Sequence, residues 1–412
     1  MKQAVRTAIS CTKQQGGMKN TISSSGVRSF SSTIGLRSGH HDEASVIFQH
    51  NDAHPSVQVV TLNRPKALNS LNLEMVRIMT PQYERLSTSN ECKMIILKGS
   101  GDKAFCAGGD IKAIYETKDP KFFSEEYQLN YLIGSMYDKH KKVQVAILNG
   151  ITMGGGVGLS VQPGTIRIAT EKTVFAMPET AIGFFCDVGG SYFLPRLPIK
   201  GLGMYLALTG ARLKGEQCVT AGIATHFVPS EKLKELEEVL IKFSDKSSGT
   251  IDRDALCKEI EAHFPQDQYL NTHHAKSYMD NEKEISLFDP NENQSVHDII
   301  ESLKKLNTPH AQHTLKTMQS MSPTSLRVVH RQLRIGAVLG YKECFDMEYG
   351  MAKHMMHGHD FFEGVRALLV DKDKNPKWVP ATIDAVTKHD VDLYFETFKA
   401  TSANIVQNNE RA

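Results

Sequence analysis

Two stretches constrain this chain most, because each interrupts an apolar core with chemistry-bearing residues. They are NGITMGGGVGLS at 149–160 and AMPETAIGFFCDVGGSYFLPRLP at 176–198. In the first, the apolar run VQVAIL (143–148) reads as a buried strand that empties into Gly154, Gly155 and Gly156, with a helix predicted to start near Val157. Glycine lets the backbone approach a ligand closely, and N–H groups at a helix start have no intrahelical partner. The second sets Glu179 and Asp187 eight residues apart in an otherwise apolar segment. Free N–H groups beside a carboxylate in an apolar site are what acyl chemistry needs: the amides hold a developing oxyanion, and the carboxylate moves a proton or attacks a carbonyl.

The glycines exclude two nucleotide sites. A Walker A loop needs Gly-Lys-Ser/Thr, and Leu159-Ser160 stands there instead; a dinucleotide fingerprint needs a third glycine that neither Leu159 nor Val161 supplies. Ser160 has no GxSxG frame, so it is no nucleophile elbow. A second glycine turn, AFCAGGDIK (104–112), follows the strand-like run MIILKG (94–99). There Asp110 reads as the cap of a helix through Ile111 and Ile114, and the Gly108-Gly109 turn as a source for the second oxyanion N–H.

Glu179 follows Pro178, with Ile182, Phe184 and Phe185 close by, surroundings that should desolvate its carboxylate and raise its pKa. Asp187 precedes Gly189-Gly190, where an ordinary helix cap competes with a catalytic use. Glu125 and Glu126 precede a predicted helix with the apolar face Leu129, Leu132, Ile133 and Met136; the spacing does not choose between them and leans slightly to Glu125. HMMHGHD (354–360) groups His354, His357 and His359 without an HExxH frame, and no metal site is expected there.

Along the chain, VQVVTL (57–62) is a β-branched strand stopped at Pro65, and a helix is predicted from Asn72 to Leu86. TIRIAT (165–170) and TVFAM (173–177) read as a hairpin or as consecutive short strands. Ser230 reads as the cap of a helix with Leu233, Leu236, Leu240 and Phe243 on one face. From there most segments read as helices, with DNEKEISLFDPNENQ (280–294) as a surface loop. Strands alternating with helices indicate an α/β class.

Charge and cysteine usage narrow the function. Residues 1–38 hold Lys2, Arg6, Lys13, Lys19, Arg28 and Arg37 and no acid, and they are rich in Ser and Thr. That is the composition of an organelle transit peptide, and RSFSS (28–32) resembles a mitochondrial cleavage site. Without this leader, 42 basic residues face 46 acidic ones, a net of −4, so no nucleic acid is expected as partner. No apolar run approaches the ~18 residues of a membrane span. Seven scattered cysteines without a CxxC pair fit free thiols in a reducing compartment.

These residues together resemble a known family. AFCAGGDIK, NGITMGGGVGLS and MPETAIG with VGGSYFLPRLP resemble the enoyl-CoA hydratase/isomerase (crotonase) superfamily, and NRPKALN (63–69) is similar to its early CoA-binding segment. EEYQLN (125–130), LTGARLKG (208–215), AGIATHFVP (221–229), GHDFFEGVRA (358–367) and DKDKNPKW (371–378) are similar to the branch that hydrolyses a small β-hydroxyacyl-CoA in mitochondrial valine breakdown. The resemblance covers roughly residues 45–400.

It implies a spiral of ββα units with two near-perpendicular sheets over 45–230, a mainly helical region over 231–400 and a flexible tail at 401–412. It also implies an acyl-CoA substrate, thioester hydrolysis, no cofactor beyond the CoA of the substrate, and a matrix location. By the same resemblance Gly109 and Gly155 supply the oxyanion amides, Glu179 and Asp187 are catalytic, Glu126 joins them in holding substrate, and Lys66 meets CoA. Two positions depart from the family. Gly158 stands where a hydratase has its second catalytic glutamate, which argues against hydration. Cys186 stands where proline usually precedes Asp187, which should loosen that loop. A hydratase or isomerase of the same fold, and a non-catalytic subunit of a mitochondrial ribonucleoprotein, are the rival readings; the sequence leaves the oligomeric state open.

Overall fold

The central strands are runs of apolar residues covered on both faces. The computed structural model describes residues 44–289 and 295–398; the leader at 1–38 and the tail at 401–412 lie outside them. In chain order the strands are β1 (Val46–His50), β2 (Val57–Leu62), β3 (Met94–Gly99), β4 (Ala104–Cys106), β5 (Val143–Leu148), β6 (Ile151–Met153), β7 (Ile166–Ala169), β8 (Val174–Ala176), β9 (Leu213–Lys214) and β10 (His226–Phe227). The helices that shape the site are α1 (Leu73–Thr88), α2 (Ile111–Thr117), α3 (Lys121–His140), α4 (Gly155–Ser160), α5 (Gly190–Phe193) and α6 (Leu202–Thr209).

Two sheets result. The first runs β1-β2-β3-β5-β7-β10, parallel except for the antiparallel β1–β2 pair. Alternate residues divide its faces, as the two-residue period of a strand requires. Ile96, Val145, Ile147, Ile166 and Ile168 pack with Leu236, Leu240, Leu256 and Ile260 of the helices Leu233–Lys246 and Arg253–His263. Ile95, Leu97, Ala146 and Leu148 belong to the main core with Met75 and Tyr83 of α1 and Leu129 and Ile133 of α3. Helices on both faces are what a parallel sheet demands.

The second sheet runs β4-β6-β8-β9, with β4, β6 and β8 parallel. The chain visits the sheets alternately: β3 then β4, β5 then β6, β7 then β8. Three neighbouring parallel strands therefore deliver their C-terminal ends side by side, about 4.8 Å apart. The turn after β4 carries Gly108 and Gly109, the turn after β6 carries Gly154 and Gly155, and the turn after β8 carries Glu179. The helices Pro323–Gly336, Tyr341–Met355 and His359–Val365 pack behind these turns, against α5, α3 and the 3-10 turn Glu179–Ile182.

Of the two readings of 165–170 and 173–177, consecutive short strands hold and a hairpin does not: β7 joins the first sheet and β8 the second. Three local expectations are corrected. Ser230 does not cap its helix, because its N–H and hydroxyl both bond the Glu171 carboxylate. The 280–294 stretch is partly helical at Glu282–Ser286, and 290–294 lie outside the described residues. The helix after the glycines starts at Gly155, ahead of Val157.

Candidate active site

The glycine turns meet face to face. A Cβ placed on Gly155 would lie 3.1 Å from the Gly109 nitrogen and 2.6 Å from Glu126 Oε1, and one on Gly154 would lie 3.2 Å from Glu179 Oε1. A Cβ sits about 2.5 Å from its own nitrogen, so the Gly109 and Gly155 nitrogens are within about 5.6 Å of each other. Two N–H groups that each bond one oxygen at about 2.9 Å can stand up to about 5.8 Å apart. Among the described residues neither N–H has a hydrogen-bond partner. The turn is fixed from the other side: Leu71 N–H donates to the Gly108 carbonyl at 2.8 Å and Asp110 N–H to the Leu71 carbonyl at 2.8 Å. Asp110 caps α2 through the Ala113 N–H, as its position suggests.

Three carboxylates converge on these amides. The structure separates the two glutamates that spacing could not. Both lie inside α3, which begins at Lys121, rather than ahead of a helix. Glu125 turns outward into a bidentate pair with Arg77, at 2.7 Å from both Nε and Nη2. Glu126 turns inward and is 1% exposed. Glu179 opens the 3-10 turn after β8, and Asp187 lies in the loop before α5; each is 6% exposed. Asp187 does not cap α5 with its side chain. Its Oδ2 accepts from the Tyr127 hydroxyl at 2.7 Å.

Burial raises all three acids, since a desolvated carboxylate prefers its neutral form. Glu179 is held well above its usual value by burial, then by the Asp187 charge. Glu126 is likewise raised by burial, then by Asp187 and Glu179. Asp187 is pushed up to about 7 by burial, against the hydrogen bond from Tyr127. Glu126 Oε1 and Glu179 Oε2 are buried and have no hydrogen-bond partner among the described residues. A buried carboxylate oxygen without a partner costs stability; these two point to a bound group that would satisfy them.

Gly109, Gly155, Glu126, Glu179 and Asp187 line one cavity of about 520 Å³. Phe122, Phe123 and Phe184 make its apolar wall, with Phe123 and Phe184 stacked at 5.0 Å between ring centres. Leu368, Leu369, Lys112 and Lys372 also line it. Lys66, expected to meet CoA, is exposed on the turn Pro65–Ala67 and does not line the cavity.

The two departures from the family pattern have clear settings. A Cβ on Gly158 would stand 2.7 Å from both Asn130 Oδ1 and Val188 Cβ, so that position has no room for a second carboxylate. The loop at Cys186 is not loose. Cys186 is fully buried, its carbonyl accepts from Gln332 Nε2 at 2.6 Å, and the Val188 carbonyl accepts from Gln162 Nε2 at 2.8 Å. Two residues that bear on the site escaped the sequence: Tyr127, whose only mark is its place after Glu126, and Glu348, which has none.

The chain is similar over most of its length to known proteins and structures. The family model described as enoyl-CoA hydratase/isomerase matches residues 57–395. A protein of Dictyostelium discoideum named 3-hydroxyisobutyryl-CoA hydrolase, mitochondrial, is 48% identical over 360 residues, covering 82% of this chain and 88% of its own length. The human protein of that name is 47% identical over 355 residues, covering 82% and 86%. Among solved structures, a carnitinyl-CoA dehydratase from Mycobacterium thermoresistibile superposes with a TM-score of 0.71 at 32% identity, covering 88% of this chain and 98% of that one. An enoyl-CoA hydratase from Rhodobacter sphaeroides gives 0.69 at 28% identity, covering 86% and 97%.

Proposed function

This chain belongs to the enoyl-CoA hydratase/isomerase family, and from that premise we propose that it is a mitochondrial 3-hydroxyisobutyryl-CoA hydrolase acting in valine breakdown. Water and the thioester give 3-hydroxyisobutyrate and the free thiol of CoA. The thioester oxygen lies between the Gly109 and Gly155 N–H groups, which stabilise the negative charge it gains in the transition state. Donors of this kind each contribute about 3–4 kcal/mol where water is excluded. Glu179 stands across from them and activates water, or attacks the carbonyl to form a mixed anhydride that water then opens. Asp187 and Glu126 hold the substrate hydroxyl or the attacking water. CoA arrives with the substrate, so the reaction as written needs no further group.

One observation carries the reading: two unpaired glycine amides close enough to share an oxygen, with Glu179, whose Oε2 has no partner among the described residues, beside them. The crowded Gly158 supports hydrolysis over hydration, because a second glutamate at that position, facing Glu179 to add water across a double bond, has no room. The test supplies 3-hydroxyisobutyryl-CoA and a short 2-enoyl-CoA in parallel. Release of free thiol from the first, with no loss of enoyl absorbance from the second, is expected. Hydration of the second without thiol release overturns the reading. Single-turnover reaction in oxygen-18 water separates general-base attack from an anhydride opened at the Glu179 carbonyl: the first puts the label in the product acid, the second puts it in the protein carboxylate and leaves the product unlabelled.

A further inference from the structure

Asp187 stands where a residue would ordinarily cap the helix that follows it. Its carboxylate instead faces the cavity and Tyr127. The N–H groups it would have capped are taken by an acid from a distant part of the chain. Glu348, in the helix Tyr341–Met355, is fully buried; its Oε2 accepts from Gly189 N–H at 2.8 Å and its Oε1 from Ser191 N–H at 2.9 Å. Both carboxylate oxygens are thus spent on the backbone that flanks Asp187.

That backbone needs holding. Val188 has φ 53° and Gly189 φ 92°. A β-branched residue in the left-handed region is a strained conformation that persists only where its surroundings over-determine it. Gln162 and Gln332 grip the carbonyls of Val188 and Cys186, and Glu348 grips the N–H groups, so the turn is clamped from three elements.

We propose that Glu348 is a positioning residue for hydrolysis: by occupying the Gly189 and Ser191 N–H groups it denies them to Asp187 and holds that carboxylate toward the thioester. The inference rests on the role proposed above for Asp187.

The test is a double-mutant cycle of Glu348→Gln and Asp187→Asn, read as kcat and KM for thiol release. A glutamine must turn an NH2 toward one of the two N–H donors, so the turn loses an acceptor and Asp187 is free to swing in. Glu348→Gln is expected to lower kcat at least about tenfold while KM stays within about threefold. The double variant should fall no more than about threefold below Asp187→Asn alone, because the two act through one group. A Glu348→Gln enzyme with unchanged kcat, or losses that multiply in the double variant, overturns the proposal. Should Glu348→Gln fail to fold, Glu348→Asp keeps the charge but is a methylene too short to reach both N–H groups, and it must show the same split between kcat and KM. If Asp187→Asn by itself leaves turnover intact, it is the reading of Asp187 that fails; if Asp187→Asn is impaired and Glu348→Gln is not, only the present inference fails.

Discussion

Gly155→Ala separates catalysis from folding more cleanly than any other single change in this site. The added methyl would lie 3.1 Å from the Gly109 nitrogen and 2.6 Å from Glu126 Oε1. The carboxylate is the free end of a side chain and can retreat. The Gly109 nitrogen belongs to a turn bonded to Leu71 on both sides and cannot. The methyl therefore occupies the place where a shared oxygen must sit. Loss of one oxyanion donor costs about 2.7–4 kcal/mol of transition-state stabilisation, or about 10²–10³ in kcat. Folding should not suffer in proportion. Gly155 is the first residue of α4 and has no positive φ, so alanine is conformationally acceptable there and gains about 1 kcal/mol of helix propensity in a full helix interior, less at a terminus. The assay is thiol release under saturating substrate, with thermal melting alongside. A kcat within about tenfold of the parent would refute the oxyanion argument, because the methyl would then be tolerated where the reacting oxygen is claimed to lie.

Three further outcomes follow from the buried carboxylates and the leader. Asp187 binds its proton up to about pH 7 in the folded state but only up to about 3.8 unfolded. The folded state holds more protons across that window, so stability falls as pH rises through it. Asp187→Asn should flatten the drop in melting temperature between about pH 4 and 7; an unchanged slope would show that Asp187 titrates normally. Tyr127→Phe removes the hydrogen bond that favours the charged Asp187, so the acid limb of the kcat profile should move to higher pH. A limb that stays in place would detach this pair from the chemistry. A reporter fused to residues 1–38 should enter mitochondria, and a purely cytosolic reporter would refute the targeting reading.

What the sequence reveals depends on how local each determinant is. β2, β3 and β5 match their apolar runs end to end because strands covered on both faces need nothing but such runs. The turns that carry Gly109, Gly155 and Glu179 are legible for a similar reason: glycines and a lone acid stand out against apolar strands. Glu126 could not be chosen over Glu125 from spacing, because both border the apolar face of α3; the choice is made by Arg77, which draws Glu125 outward from another helix. The sheet assignments of β7 and β8 were equally hidden, since a four-residue turn serves a hairpin and a sheet crossing alike. Glu348 was invisible because its hydrogen bonds come from two N–H groups 159 and 157 residues away along the chain. Ser230 misled because capping is a local inference, and the Glu171 carboxylate outbids it as a partner.

The central claim is that Glu179, facing two shared amides, carries the proton or the acyl group in thioester cleavage. Glu179→Gln keeps the shape of the side chain and removes its basicity, and the measurement is thiol release together with equilibrium binding of 3-hydroxyisobutyryl-CoA. Turnover should vanish while binding persists with a Kd close to that of the parent. A Glu179→Gln protein that still releases thiol at the parental rate would contradict the account.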